Sequence, residues 1–184
     1  MNVSDIRNRE IIKWYEDFNE PIFKFIFMMI QDYQQAEDLR HETFLKAYIH
    51  YDSYRRKSNP KTWLFSIAHN LTIDFIRKRK PILLFKEAFF FKKDTNPLPD
   101  EMIQIKESSY ELYKALGVIK DSYREVIILR KIKEFSIEET AEVLGWSESK
   151  VKSTLYRAIP VLEKQLLKEG YLREGTIYKK FIGY

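Results

Sequence analysis

Phe135-Ser136-Ile137-Glu138-Glu139-Thr140-Ala141-Glu142-Val143-Leu144-Gly145, continued by Trp146 and Ser147, carries the strongest structural signal in this 184-residue chain. The Ser136 hydroxyl can accept from the first turn of a helix, and Glu139 three residues on can return the bond, which makes a capping box. Ile137, Ala141 and Leu144 then share one face at helical spacing. Gly145 can take the left-handed conformation that ends a helix, Trp146 puts an apolar group in the turn, and Ser147 can cap a second helix. In that second helix Val151, Leu155, Ala158, Ile159 and Leu162 form an inner side. The outer side carries Ser149, Lys150, Lys152, Ser153, Tyr156 and Arg157, a donor-rich set able to reach phosphates and base edges in a major groove. A helix-turn-helix from about Ser136 to Leu162 follows. An ordinary antiparallel pair would not need the small Ala141, the glycine turn and the second serine cap together at this spacing. Pro160, lacking an N–H, predicts a bend near Ile159.

Outward from this motif, apolar residues recur at helical spacing through most of the chain, with no sustained strand-like alternation. The fold class is all-α: an N-terminal helical bundle and a C-terminal helix-turn-helix domain joined by a flexible linker. The pattern breaks from Pro81 to Asp100, where Pro81, Pro97 and Pro99 and the run Lys92-Lys93-Asp94-Thr95-Asn96 fall. The expected division is an N-terminal domain over 1–80, a linker over 81–105, a C-terminal domain over 106–170, and a basic, aromatic tail over 171–184 with no assigned role. Leu83-Leu84-Phe85 and Phe89-Phe90-Phe91 are apolar for a spacer and read as a short helix folded back on one of the domains.

Composition narrows the function classes. With 45% hydrophobic and 32% charged residues, the chain is built to fold rather than to stay disordered. The absence of Cys removes disulfides and thiolate metal sites, and His41, His50 and His69 lack the spacing of a metal-ligand set. No Walker-type loop or nucleophile motif is present, so neither an enzyme nor a cofactor is expected. Ile22 to Ile30 is too short for a membrane span and is interrupted by Lys24, and no signal-peptide pattern opens the chain; a cytoplasmic protein without membrane insertion is expected. The net charge of +5 is unevenly placed: residues 1–50 carry −3, residues 51–93 carry +8, and the remainder is neutral. The middle segment therefore faces a polyanion.

In a helix from Ala36 to Tyr48, the residues Ala36, Leu39, Thr43, Phe44, Ala47 and Tyr48 form an inner stripe, leaving Asp38, His41, Glu42 and Leu45 outside. By itself that outer face is an ordinary solvated surface. Further on, Tyr51, Tyr54, Trp63 and Phe65 are interleaved with Arg55, Arg56, Lys57 and Lys61, and Arg77-Lys78-Arg79-Lys80 follows. Stacking faces beside phosphate-holding cations suit single-stranded or melting DNA. Phe65 and Ile67, near Leu64 and Leu71, read as core instead.

Tyr123-Arg124-Glu125-Val126-Ile127-Ile128-Leu129-Arg130 and Val151-Lys152-Ser153-Thr154-Leu155-Tyr156-Arg157-Ala158 resemble the C-terminal domain of extracytoplasmic-function (ECF) sigma factors of bacterial RNA polymerase. Asp38-Leu39-Arg40-His41-Glu42-Thr43-Phe44 resembles the family's polymerase-binding helix. Lys61-Thr62-Trp63-Leu64-Phe65-Ser66-Ile67-Ala68-His69-Asn70, with Asp74 and Arg77, resembles its promoter-melting segment. The three motifs stand in the family's order over about residues 11 to 165. The resemblance implies a subunit that binds core RNA polymerase through its largest and second-largest subunits, reads a duplex -35 element and melts the -10 element of promoter DNA, and is held by an anti-sigma factor. It implies core-polymerase contacts at Asp38, Leu39, His41, Glu42 and Leu45. For the -10 element it implies Tyr54, Lys61, Trp63, His69, Asn70, Asp74, Arg77 and Lys78, with Asn70 near a pocket for one flipped base. For the -35 element it implies Ser147, Ser149, Lys150, Lys152, Ser153, Tyr156 and Arg157. His41 stands where the family usually has Gln, Ile119-Lys120 where it has Leu-Pro, and Ser149-Lys150 where it has Gly-Thr. The different-class alternative is a helix-turn-helix regulator that acts without core polymerase.

Overall fold

The computed structural model describes residues 3–54, 59–89 and 107–168, and Arg55, Arg56, Lys57, Phe90, Phe91 and the tail over 171–184 lie outside them. The chain divides into two compact units between residues 98 and 99. Among the described residues all regular structure is helical, in agreement with the all-α expectation.

In the first unit, α1 (Val3–Ile30) packs against both α2 (Tyr33–Ile49) and α3 (Pro60–Phe89). The second half of α1 is enclosed by its neighbours, which is why Ile22, Phe23 and Phe25 to Met29 are all buried while Lys24 turns outward to pair with Glu20 at 3.0 Å. Gln31, at φ 53, turns the chain in the left-handed region. Asp32 then starts α2: one carboxylate oxygen accepts from the Gln35 N–H at 3.1 Å, and the other accepts from Arg79 of α3 at 3.3 Å. Ala36, Leu39, Thr43, Phe44 and Ala47 are the buried stripe of α2. Tyr48, expected inside, is 41% exposed and lies beneath the Arg7 guanidinium at 5.6 Å, because this end of α2 overhangs the core.

Leu64, Phe65, Ala68 and Leu71 bury one side of α3, with the Phe65 ring 5.4 Å from Phe25. Ile67, read as core, is only half-buried. The helix does not stop at Pro81 but continues to Phe89, carrying Leu83-Leu84-Phe85 on its backbone into the stretch expected to be linker. Proline removes a single i−4 bond, and the helix-forming Leu83, Leu84, Lys86, Glu87 and Ala88 that follow propagate the remaining ladder.

The second unit comprises α4 (Glu107–Val118), α5 (Asp121–Ile127), α6 (Ile137–Leu144) and α7 (Glu148–Lys168). α5 runs on into a π-helical turn, Ile128–Ile132, whose wider loop is closed by Lys133 N–H to Ile128 C=O at 2.9 Å. Arg124 is buried where α4 ends: Nε donates to Leu116 C=O at 2.6 Å, and Nη2 donates to Gly117 and Ile119 carbonyls at 2.9 and 3.1 Å. Burial lowers its pKa, with Asp121 and Glu125 opposing that shift. Leu116, Val126, Ile127, Ile128, Leu129 and Phe135 are the innermost side chains, each contributing roughly 1.5–3 kcal/mol by burial.

Candidate functional site

The helix-turn-helix forms as its caps dictate. Ser136 Oγ accepts from Glu139 N–H at 3.0 Å and the Glu139 carboxylate accepts from Ser136 N–H at 2.7 Å, so both halves of the capping box are made. Gly145 sits at φ 63, ψ 35, and Trp146 N–H returns to Ala141 C=O at 2.9 Å. Lys150 N–H donates to Ser147 Oγ at 3.3 Å and opens α7. Val151, Thr154, Ala158, Leu162 and Leu166 form the buried stripe of α7. Leu155 and Ile159, expected inside, are half-buried, and Thr154 takes the inner place between Val151 and Ala158. α7 continues through Pro160 to Lys168 without interruption. Tyr156 and Pro160 are both exposed, so water can serve the Tyr156 carbonyl that a proline N–H cannot.

Ser149, Lys150, Lys152, Ser153, Tyr156 and Arg157 are all exposed and cover a continuous arc of α7, with Tyr156 82% exposed. Lys152 pairs with Glu148 at 3.5 Å, and Arg157 Nε donates to Ser153 C=O at 3.0 Å. Lys150 instead places its ammonium 3.9 Å from the centre of the Trp146 ring.

On α3, Asn70, Asp74, Arg77 and Lys78 fall on one exposed stripe at i, i+4, i+7 and i+8, and Arg77 lies 3.8 Å from Asp74. Two expected members are absent from that stripe. His69 is buried at 7%, one residue round from Asn70 on the core side, and cannot meet a strand without unfolding the helix. Lys61, nine residues before Asn70, is two and a half turns away and so on the opposite side of the helix axis. Tyr54 and Trp63, 4.9 Å apart, join Trp14 and Tyr51 in an aromatic cluster and keep part of each ring in solvent.

The sequence gave no sign that α1 would hold this cluster in place. Arg7 pairs with Asp52 at 3.1 Å, and Tyr51 donates to Glu10 at 2.7 Å. A cleft of about 390 Å³ beside the cluster is lined by Glu10, Lys13, Trp14, Asp17, Phe18, Tyr54 and Pro60. Its two carboxylates disfavour a phosphate there, leaving the α3 stripe as the cationic face of this unit.

On α2, Asp38, His41, Glu42 and Leu45 are exposed together, Leu45 at 58%, and Glu42 lies 3.5 Å from Lys46. Leu39, expected on this face, is 7% exposed and belongs to the core, since the buried stripe passes through Ala36, Leu39 and Thr43. The face is acidic with an apolar centre, shaped for a basic partner.

Among the described residues no helix is long and apolar enough to cross a membrane. Comparison with known proteins agrees with this layout. The family model for sigma-70 region 2 matches residues 14–82, and that for sigma-70 region 4 matches residues 109–159. The chain is 38% identical over 162 residues to the ECF RNA polymerase sigma factor SigX of Bacillus subtilis, covering 84% of each chain. It is 34% identical over 161 residues to the ECF RNA polymerase sigma factor SigM of the same organism, covering 86% of this chain and 93% of that one. Among solved structures, the sigma factor RpoE of Bartonella quintana, in complex with the anti-sigma factor NepR, matches with a TM-score of 0.69 at 26% identity, covering 87% of this chain and 98% of that one.

Proposed function

The chain belongs to the ECF group of RNA polymerase sigma factors, which direct transcription initiation, and on that premise we propose how its exposed faces divide the work. The observation that carries the reading is the outer arc of α7, where two serines, two lysines, a tyrosine and an arginine stand clear of the core on a capped helix-turn-helix. A helix of this width fits the major groove, with its N-terminal residues against base edges. In this reading α7 reads the duplex -35 element through Ser149, Lys150, Lys152, Ser153, Tyr156 and Arg157, with Ser147 at its cap.

The α3 stripe, Asn70, Asp74, Arg77 and Lys78, receives the -10 element as it opens, beside the part-exposed rings of Tyr54 and Trp63. Amide and cation donors suit unpaired base edges and phosphates, and ring faces suit unstacked bases. Asp38, His41, Glu42 and Leu45 of α2 dock on a basic surface of core polymerase, where acidic groups govern orientation and association rate more than affinity. An anti-sigma factor, such as accompanies the Bartonella relative, is a further partner. The protein acts in the cytoplasm as a binding subunit rather than an enzyme.

Transcription from a promoter library with purified core polymerase, with and without the protein, tests this assignment. The protein should redirect polymerase to a subset of promoters sharing two separated elements. Tight binding to duplex DNA by the protein alone, with no redirection of polymerase, would instead identify a free-standing regulator.

A further inference from the structure

The Lys150 ammonium occupies an unusual place. It lies in the first turn of α7, where the helix dipole disfavours a cation, and its neighbour is the face of Trp146 at 3.9 Å. The other two cations on the arc have polar partners on their own helix, Lys152 at Glu148 and Arg157 at the Ser153 carbonyl. Trp146 is itself fixed: its backbone closes the end of α6 on Ala141, and the residue is half-buried in the turn. A lysine that serves a phosphate works as a mobile point charge. Discrimination between bases requires a donor whose direction is set before binding, and the first turn is the part of such a helix that lies against base edges.

We infer that Trp146 is a positioning residue whose ring holds Lys150 toward one base pair of the -35 duplex, so that Lys150 donates to the acceptor edge of a guanine rather than to a phosphate. Guanine presents two acceptors, O6 and N7, side by side in the major groove, the pattern an ammonium can satisfy. With one side of the ammonium against the ring, its remaining N–H groups are directed outward. This inference rests on the proposed reading of α7 as the -35 helix.

The test uses holoenzyme assembled from core polymerase and the full-length chain, transcribing a template library randomised across the upstream element. Lys150→Ala and Trp146→Leu should each reduce the preference for guanine at one and the same position by about tenfold. The double variant should lose no more than either single one, and Trp146→Phe, which restores a ring face, should recover most of the preference. The slope of log affinity against log salt should stay the same in Lys150→Ala. A slope smaller by about one unit with uniform weakening across all sequences would mark a phosphate contact and overturn the inference. So would a Trp146→Leu variant that weakens every sequence equally and is not rescued by Trp146→Phe, since that is the signature of a turn that merely packs. Lys150 is exposed, so its variant folds whatever becomes of Trp146. A wild-type holoenzyme with no upstream base preference would sink the -35 reading as well, whereas a preference that survives Lys150→Ala sinks this inference alone.

Discussion

Glu134, at φ 59, is a side-chain-bearing residue in the left-handed region, at the turn between the π-helical segment and α6. Left-handed backbone costs an ordinary residue roughly 1–2 kcal/mol, partly offset when glycine replaces it by the freedom glycine has in the unfolded chain. Glu134→Gly should therefore stabilise the second unit by about 1 kcal/mol, raising its urea midpoint with no change in slope. Arg124 behaves oppositely. Its planar fork gathers three carbonyls left open where α4 ends, and a lysine reaches them with one nitrogen at most. Arg124→Lys should destabilise the unit by about 2 kcal/mol, seen as an earlier thermal transition. The motif around Arg124 pointed to a family in the sequence, but its physical role could not be read there, because the carbonyls it serves belong to another helix.

At the scale of elements, the ends were more legible than the faces. Ser136, Glu139, Gly145 and Ser147 act through neighbours three to five residues away, so their geometry is written locally. Ser136→Ala should cost about 1 kcal/mol, measurable as loss of protection in the amide protons of α6. Which side of a helix faces inward depends on neighbours distant in sequence. That is why Leu39, His69, Tyr48 and Thr154 were misplaced, and why α3 passes Pro81. On α2 the buried stripe leaves Asp38, His41, Glu42 and Leu45 as a surface on which no core contact depends. Asp38→Arg should accordingly leave the circular dichroism and melting of the protein unchanged while lowering its affinity for core polymerase at least tenfold. Unaltered polymerase binding in that variant would remove α2 from the interface.

For the whole molecule, the uneven charge finds a structural reading in the exposed Arg77 and Lys78 of α3, set apart from the acidic face of α2. Opposite faces for opposite partners keep a chain with a net charge of only +5 from binding either one indiscriminately. Lys78→Ala should weaken promoter complexes about equally across sequences and reduce the salt slope by about one, a pattern opposite to that expected of Lys150→Ala. The π-helical turn at Ile128–Ile132 bears on the same architecture in a different way. It holds one more residue than an α-helix would need to cover the same rise, so a single deletion within it would restore regular winding and rotate all that follows by roughly 100°. The DNA-reading arc of α7 would then be turned out of register with α5, against which it packs, while every side chain on the arc remained present. The length of that one turn is thus a setting of aim: a promoter reader can be made blind there without touching any residue that meets DNA.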